Sequence, residues 1–183
     1  MSDTVQRLAA LEATSINHEG RLLMLIDTFS SGPAGEGIHG LTKLAKLDFL
    51  LRYPTYLERA LKARNRPTHA VRLADYERLS VESRMVRYRF GPWDHRYPEV
   101  LRRLEARGLV SLRKDGRAVV IKATEAGTKL AAKLRATHSF DDVADRAAAL
   151  HTHMNLTGTH LMRFIYDTFP EVVSLRSNKE IGV

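Results

Sequence analysis

Residues 109–122 read Leu-Val-Ser-Leu-Arg-Lys-Asp-Gly-Arg-Ala-Val-Val-Ile-Lys, and this stretch limits the fold more than any other. Asp115-Gly116 is the pair that a two-residue type I′ turn demands, because both central residues of that turn need positive φ. Residues 109–113 and 117–122 then read as the two strands of a hairpin, with Arg113, Lys114 and Arg117 crowding its tip. Just before it, Gly108 stands where a helix wants a left-handed C-cap. That helix opens at Pro98, whose missing N–H costs nothing in a first turn, and carries an apolar stripe of Val100, Leu101, Leu104 and Leu109. Just after the hairpin, Thr124 offers a side-chain oxygen to cap a helix running from Glu125 through Leu130 and Leu134.

Upstream, residues 84–90 alternate. Val86, Tyr88 and Phe90 share one side with Arg84, and Met85, Arg87 and Arg89 lie on the other, as a strand requires. Gly91-Pro92 is expected to end that strand, and Trp93, next to proline and leading into a helix, reads as a core anchor. At the N-terminus Val5, Leu8, Leu11, Leu22, Leu23, Leu25, Ile26 and Phe29 recur at helical spacing, with a break expected near residues 15–20. Residues 30–40, rich in Gly and Ser, read as a loop. Leu41, Leu44, Ala45, Leu47, Asp48 and Leu51 form the next helix, interrupted at Tyr53-Pro54 and continued over 56–63. The pair that follows the Arg21 to Phe29 helix has the layout of a helix-turn-helix. Residues 65–80 lose periodicity and read as a connector. Residues 141–154 and 157–169 predict two further helices, the second with a stripe of Leu161, Phe164, Ile165 and Phe169, stopped by Pro170.

The string Tyr97-Pro98-Glu99-Val100-Leu101-Arg102-Arg103-Leu104-Glu105-Ala106-Arg107-Gly108-Leu109-Val110, followed by Thr124-Glu125-Ala126-Gly127, resembles the winged-helix superfamily of bacterial regulators over residues 81–135. The resemblance implies a mainly α fold with a small β-hairpin wing (α+β), a helix packed before the wing, and a Thr-x-x-Gly start to the next helix. Gly40-Leu41-Thr42-Lys43-Leu44 and Arg89-Phe90-Gly91-Pro92 also resemble the small winged-helix accessory components encoded beside ABC or SMC-like ATPases in bacterial anti-phage defence systems. The expected organisation is an N-terminal helical region (1–66), a winged-helix region (67–138) and a C-terminal helical extension (139–183), together one compact unit.

With 29 Lys and Arg against 21 Asp and Glu, the chain carries a formal charge of +8, a field that attracts polyanions. The density of arginine over the central region suits phosphate and guanine, which guanidinium groups contact in planar, bidentate fashion. The candidate nucleic-acid surface is Arg84, Arg87, Arg89, Arg96, Arg102, Arg103, Arg107, Arg113, Lys114 and Arg117, some of which must pair with Asp94, Glu99, Glu105 and Asp115. The partner expected is double-stranded DNA. Leu161, Phe164, Ile165 and Phe169 form a candidate interface to a second copy or to a larger subunit such as an SMC or ABC-type ATPase, unless they pack back on the chain's own core.

Enzymatic readings find little to stand on. With no cysteine, thiolate chemistry and cysteine-ligated metal are excluded. His151, His153 and His160 match no zinc spacing, no serine has a nucleophile-elbow glycine pattern, and the glycine-rich stretch 32–40 lacks the Lys-Ser or Lys-Thr ending of a phosphate loop. No cofactor or metal is expected, nor any membrane span, and the expected location is the cytoplasm. The function so implied is non-enzymatic DNA binding as an accessory subunit of a larger bacterial complex, with a free-standing dimeric transcriptional regulator as the alternative.

Overall fold

The computed structural model describes residues 3–31, 35–72, 85–88, 91–174 and 180–181. The fold is mainly helical, with two small antiparallel sheets. Its long first helix, α1 (Asp3–Ser30), runs unbroken through the residues where a break was expected. Gly20 explains the difference. A Cβ there would lie 2.9 Å from the Phe140 ring and 3.6 Å from Leu134, so the glycine serves close approach of neighbouring side chains, not a turn. Leu22 to Asp27 are all buried, the mark of a helix enclosed on every side.

The stretch 30–40 is more than a loop. Gly37 and Gly40, at φ of 80° and 89°, bracket a short strand, β1 (Ile38–His39), whose Ile38 is fully buried. No two-residue strand leaves a period in the sequence, and this one exists because β5 offers it a partner. Helix α2 (Leu41–Arg52) follows, buried continuously from Lys43 to Arg52. Tyr53 joins it to α3 (Pro54–Ala63), with Pro54 in the first turn. Within the connector, residues His69–Val71 form a single 3-10 turn.

Strands β2 (Met85–Tyr88) and β3 (Gly91–Trp93) pair antiparallel. Gly91-Pro92 therefore enters a second strand instead of closing the first. Helix α4 (Tyr97–Ala106) buries Tyr97, Val100, Leu101 and Leu104. Gly108 then takes φ 68°, and the chain enters the hairpin of β4 (Val110–Asp115) and β5 (Ala118–Ala123). The hairpin register corrects the turn expected from Asp115-Gly116. Asp115 pairs with Ala118, so the two loop residues are Gly116 and Arg117. Of the two only Gly116 has positive φ, 57°, which is where a type II′ turn places its glycine.

Strand order in the first sheet is β1-β5-β4, so residues near 38 and near 121 meet across the boundary expected at 66. Helix α5 (Glu125–Arg135) packs on α1, as do α4, β5 and α6 (Asp141–Met154); α7 (Gly158–Thr168) packs on α2 and α3. Pro170 does not merely stop α7 but opens a further short helix, α8 (Pro170–Ser174), and β6 (Glu180–Ile181) pairs with β2 to complete a second sheet ordered β3-β2-β6.

The Thr-x-x-Gly step fastens the hairpin to α5. Thr124 Oγ1 donates to the Gly108 carbonyl at 2.6 Å and accepts from the Gly127 N–H at 3.0 Å. A Cβ on Gly127 would overlap the Leu109 carbonyl, and backbone cannot move aside as a flexible side chain can. Gly127→Ala should therefore lower stability by about 1–3 kcal/mol, the scale of overpacking, read as a reduced urea midpoint. A midpoint equal to wild type would show that α5 and the strand entry are not in contact.

Candidate nucleic-acid interface

The site is built on α4 and the β4–β5 hairpin, and buried charge fixes α4 in place. Asp48 on α2 is fully buried. Its Oδ1 accepts from Arg21 Nε at 2.8 Å and its Oδ2 from the Tyr97 hydroxyl at 2.8 Å. A buried carboxylate is costly unless paired and hydrogen-bonded, and these partners come from α1 and from the first turn of α4. Burial alone would push the Asp48 carboxyl up, but the Arg21 and Arg52 guanidiniums outweigh it and hold it below its ordinary value. The Tyr97 phenol is pushed well above 10.0, by burial first and then by the Asp48 charge. Nearby, Asp94 accepts from Arg52 Nη1 at 3.1 Å and from Arg96 Nη2 at 2.7 Å. Burial opposes its ionisation, yet the Arg96 hydrogen bonds and the Arg52 charge hold it well below the carboxylate range.

The arginines of α4 divide between two faces. Arg103 and Arg107, one turn apart, reach α1, where Glu19 Oε1 lies 3.0 Å from Arg103 Nε and Glu19 Oε2 accepts from Arg107 Nη1 at 2.7 Å. Arg103 also sits 3.2 Å from Glu99. On the other side, Glu105 Oε1 accepts from the Leu112 N–H of β4 at 3.3 Å. Arg102 stands three residues earlier, on the same side by helical spacing. It is exposed, with its Nε donating to the Pro98 carbonyl at 3.1 Å.

Along the hairpin, residues directly opposite share a face. Val110 with Ala123 and Leu112 with Ile121 turn inward, whereas Ser111 with Lys122 and Arg113 with Val120 turn outward. Arg113, Lys114, Arg117 and Lys122 are exposed. None of the four has a carboxylate partner within salt-bridge distance among the described residues. His39, on β1 opposite Val120, lies 4.0 Å from both Glu36 and Asp115.

Of the ten basic residues predicted for this surface, the structure groups Arg102, Arg113, Lys114 and Arg117 as exposed cations on α4 and the hairpin. It turns Arg96, Arg103 and Arg107 onto carboxylates of the chain itself. Arg84 and Arg89 lie outside the described residues, and Arg87 is described only by its backbone, opposite Pro92 in β2. Sequence reasoning missed Lys122, and it missed Glu19 and Asp48, the two acids that orient α4. The signal for Asp48 was available: a single acid inside the apolar run Leu-Asp-Phe-Leu-Leu needs a partner.

The apolar stripe of α7 is used inside the chain. Leu161, Ile165 and Phe169 are fully buried, and Phe164 is half-buried with the Arg64 guanidinium 5.8 Å from its ring. The Phe169 ring stands edge-on to Tyr56 at 5.0 Å and to Phe49 at 6.4 Å. These side chains occupy the position anticipated by packing back on the chain's own core.

Among the described residues no group of His, Asp or Glu could hold a metal ion, and no helix is long and apolar enough to cross a membrane. No protein-family model, curated protein or solved structure matches the chain, so the site is interpreted from its own geometry.

Two outcomes follow from this packing. His18 lies 2 % exposed with Nε2 3.9 Å from Asp48 Oδ2. Its pKa falls to about 4 from 6.5 because burial disfavours the imidazolium; Asp48 and Asp94 oppose that fall, and Arg21 and Arg52 add to it. The unfolded chain takes up a proton between those two values and the folded chain does not, so stability falls as pH drops from 6.5 towards 4. Asp48 and Asp94 lose their contribution only below the unfolded value of 3.8. His18→Phe should flatten the melting-temperature decline over pH 6.5 to 4; an unchanged decline would place its source elsewhere. Leu161→Ala should cost about 2–5 kcal/mol, as a large-to-small core change does, with the mass by light scattering unchanged. A lost oligomer at wild-type stability would instead mark this stripe as an interface.

Proposed function

We propose that this chain is a non-enzymatic winged-helix protein that binds the phosphate backbone of duplex DNA with the wing-side face of α4 and the tip of the β4–β5 hairpin. The observation that carries the reading is the grouping of Arg102, Arg113, Lys114 and Arg117 as exposed cations on a helix and an adjoining antiparallel hairpin. The arrangement is consistent with a wing. A short strand precedes α2 and joins the edge of the hairpin to give the order β1-β5-β4, α4 runs into the hairpin through a left-handed glycine, and a threonine-capped helix follows. Phosphate contacts of this kind position a protein on the duplex, and base-edge contacts are needed for sequence choice. A two-residue basic turn can lie along the backbone or enter the minor groove.

The role favoured is that of a DNA-binding subunit within a larger bacterial assembly, as the resemblance to accessory components of ATPase-based defence systems implies. The C-terminal stripe that was the candidate interface, to a second copy or to a larger subunit alike, is enclosed by the chain's own residues, so either assembly would need another surface.

Replacing Arg102, Arg113, Lys114 and Arg117 together by Ala should weaken duplex binding and flatten its dependence on salt, by about 0.9 in slope for each phosphate that the variant no longer neutralises. The melting temperature should stay near wild type, because exposed charges contribute little to stability. Salt-controlled binding isotherms beside thermal melts check this; full affinity in the fourfold variant would remove the surface from consideration. Footprinting on a short palindrome together with a dimeric mass would favour the regulator.

A further inference from the structure

We infer that Glu19 decides which arginines of α4 can reach a phosphate, by pairing with the guanidiniums of Arg103 and Arg107, whose side chains are otherwise open to solvent. This inference rests on the nucleic-acid reading above and adds to it a residue of α1, far from the hairpin in sequence. Glu19 is 7 % exposed. One carboxylate oxygen accepts a hydrogen bond from Arg107 Nη1 at 2.7 Å and the other lies at ion-pair distance, 3.0 Å, from Arg103 Nε, so separate guanidiniums from successive turns of one helix face the two oxygens.

A carboxylate and a phosphodiester compete for the same N–H donors, since both present paired anionic oxygens to a guanidinium fork. Glu19 has two advantages in that competition. It is attached to the same chain, so its concentration beside the arginines far exceeds that of an external ligand. It is also nearly enclosed, so giving up its partners would leave an uncompensated charge out of water. Arg102 is on the opposite side of α4, beside Glu105 and the hairpin, and has no carboxylate partner within salt-bridge distance among the described residues. Of these three arginines, α4 then offers DNA Arg102 alone, and the basic sequence Arg102-Arg103 divides into one outward contact and one internal fastening. Glu19 is a positioning residue: it acts on DNA affinity through the arginines that it holds.

The test compares duplex binding over a salt series for the full-length wild type, Glu19→Gln, Glu171→Gln and Arg107→Gln, each first checked for folding by thermal melt. Glu19→Gln should bind several-fold more tightly, with the salt slope steepened by about 0.9 for each arginine released. Glu171→Gln makes the same change in net charge at a carboxylate that pairs with Arg59 of α3 and not with an arginine of α4, and should leave the slope unaltered. Arg107→Gln should keep the wild-type slope, because Arg107 does not meet phosphate while Glu19 holds it. A folded Glu19→Gln with wild-type slope, an equal gain from Glu171→Gln, or a slope flattened by about 0.9 in Arg107→Gln would each overturn the role of Glu19. Should Glu19→Gln fail to fold, Arg107→Gln decides by itself. A wild-type chain that binds no duplex at any salt removes the nucleic-acid reading and this inference with it, whereas binding with the slopes reversed removes only Glu19.

Discussion

The carboxylate of Asp48 is the constraint on which the arrangement of the first, second and fourth helices depends. It sits fully buried on α2 and takes Arg21 from α1 and the Tyr97 hydroxyl from α4. Apolar packing between helices is tolerant of sliding, because the hydrophobic effect has no direction. A hydrogen bond from a buried phenol to a buried carboxylate is not tolerant, since losing it leaves two polar groups without water. Tyr97 thereby sets where α4 begins, and Asp94 extends the same fixing to the residues just before it by accepting from Arg52 of α2 and from Arg96.

From the same helix α2, an aromatic group performs the corresponding work with little charge. Phe49, Tyr53, Tyr56 and Phe169 contact one another at centroid distances of 5.0 to 6.4 Å, and the Arg59 guanidinium covers Tyr56 at 5.3 Å and Phe169 at 4.9 Å. Edge-on ring contacts and a cation over a ring face stabilise beyond the area they bury. The C-terminal helices are held by this group, which is why a stripe that looks free in the sequence has an occupant within the chain.

Charge in this protein is distributed by pairing more than by density. The arginine-rich run from Arg96 to Arg117 would give a uniformly basic surface if each guanidinium faced water. Instead Glu19, Glu99 and Asp94 pair with three of them, Arg96, Arg103 and Arg107, and the hairpin tip keeps its cations outward because Arg113 lies on the outer face of the strands while Lys114, opposite the exposed Val119, and Arg117, in the turn, sit where the other face is exposed as well. The resulting basic surface is smaller than the formal charge suggests, and it is placed on two adjoining elements.

Much of the fold is legible from local chemistry. Gly108, Gly116, Pro98 and Thr124 each impose a backbone choice on their own residue or its neighbours, so helix α4, the hairpin and the start of α5 can be read where they stand in the chain. The same locality explains the errors. A break was expected near residues 15–20, a stretch that ends in a glycine, yet α1 runs through it, and the Phe140 ring, 120 residues away in sequence from Gly20, needs the space that a side chain would fill. The strand at Ile38 exists only because Ile121 lies beside it, and the turn slipped by one residue because strand register, set by the inward faces of Leu112 and Ile121, outranks the preference of Asp115-Gly116. At the candidate site the sequence by itself determined how many cations there are and that several lie on one helix and one hairpin tip. Which of them face outward was decided only by the tertiary structure, because Glu19 on α1 pairs with Arg103 and Arg107 of α4 across helices, and ion pairing of that kind depends on distance in space, which a sequence does not contain.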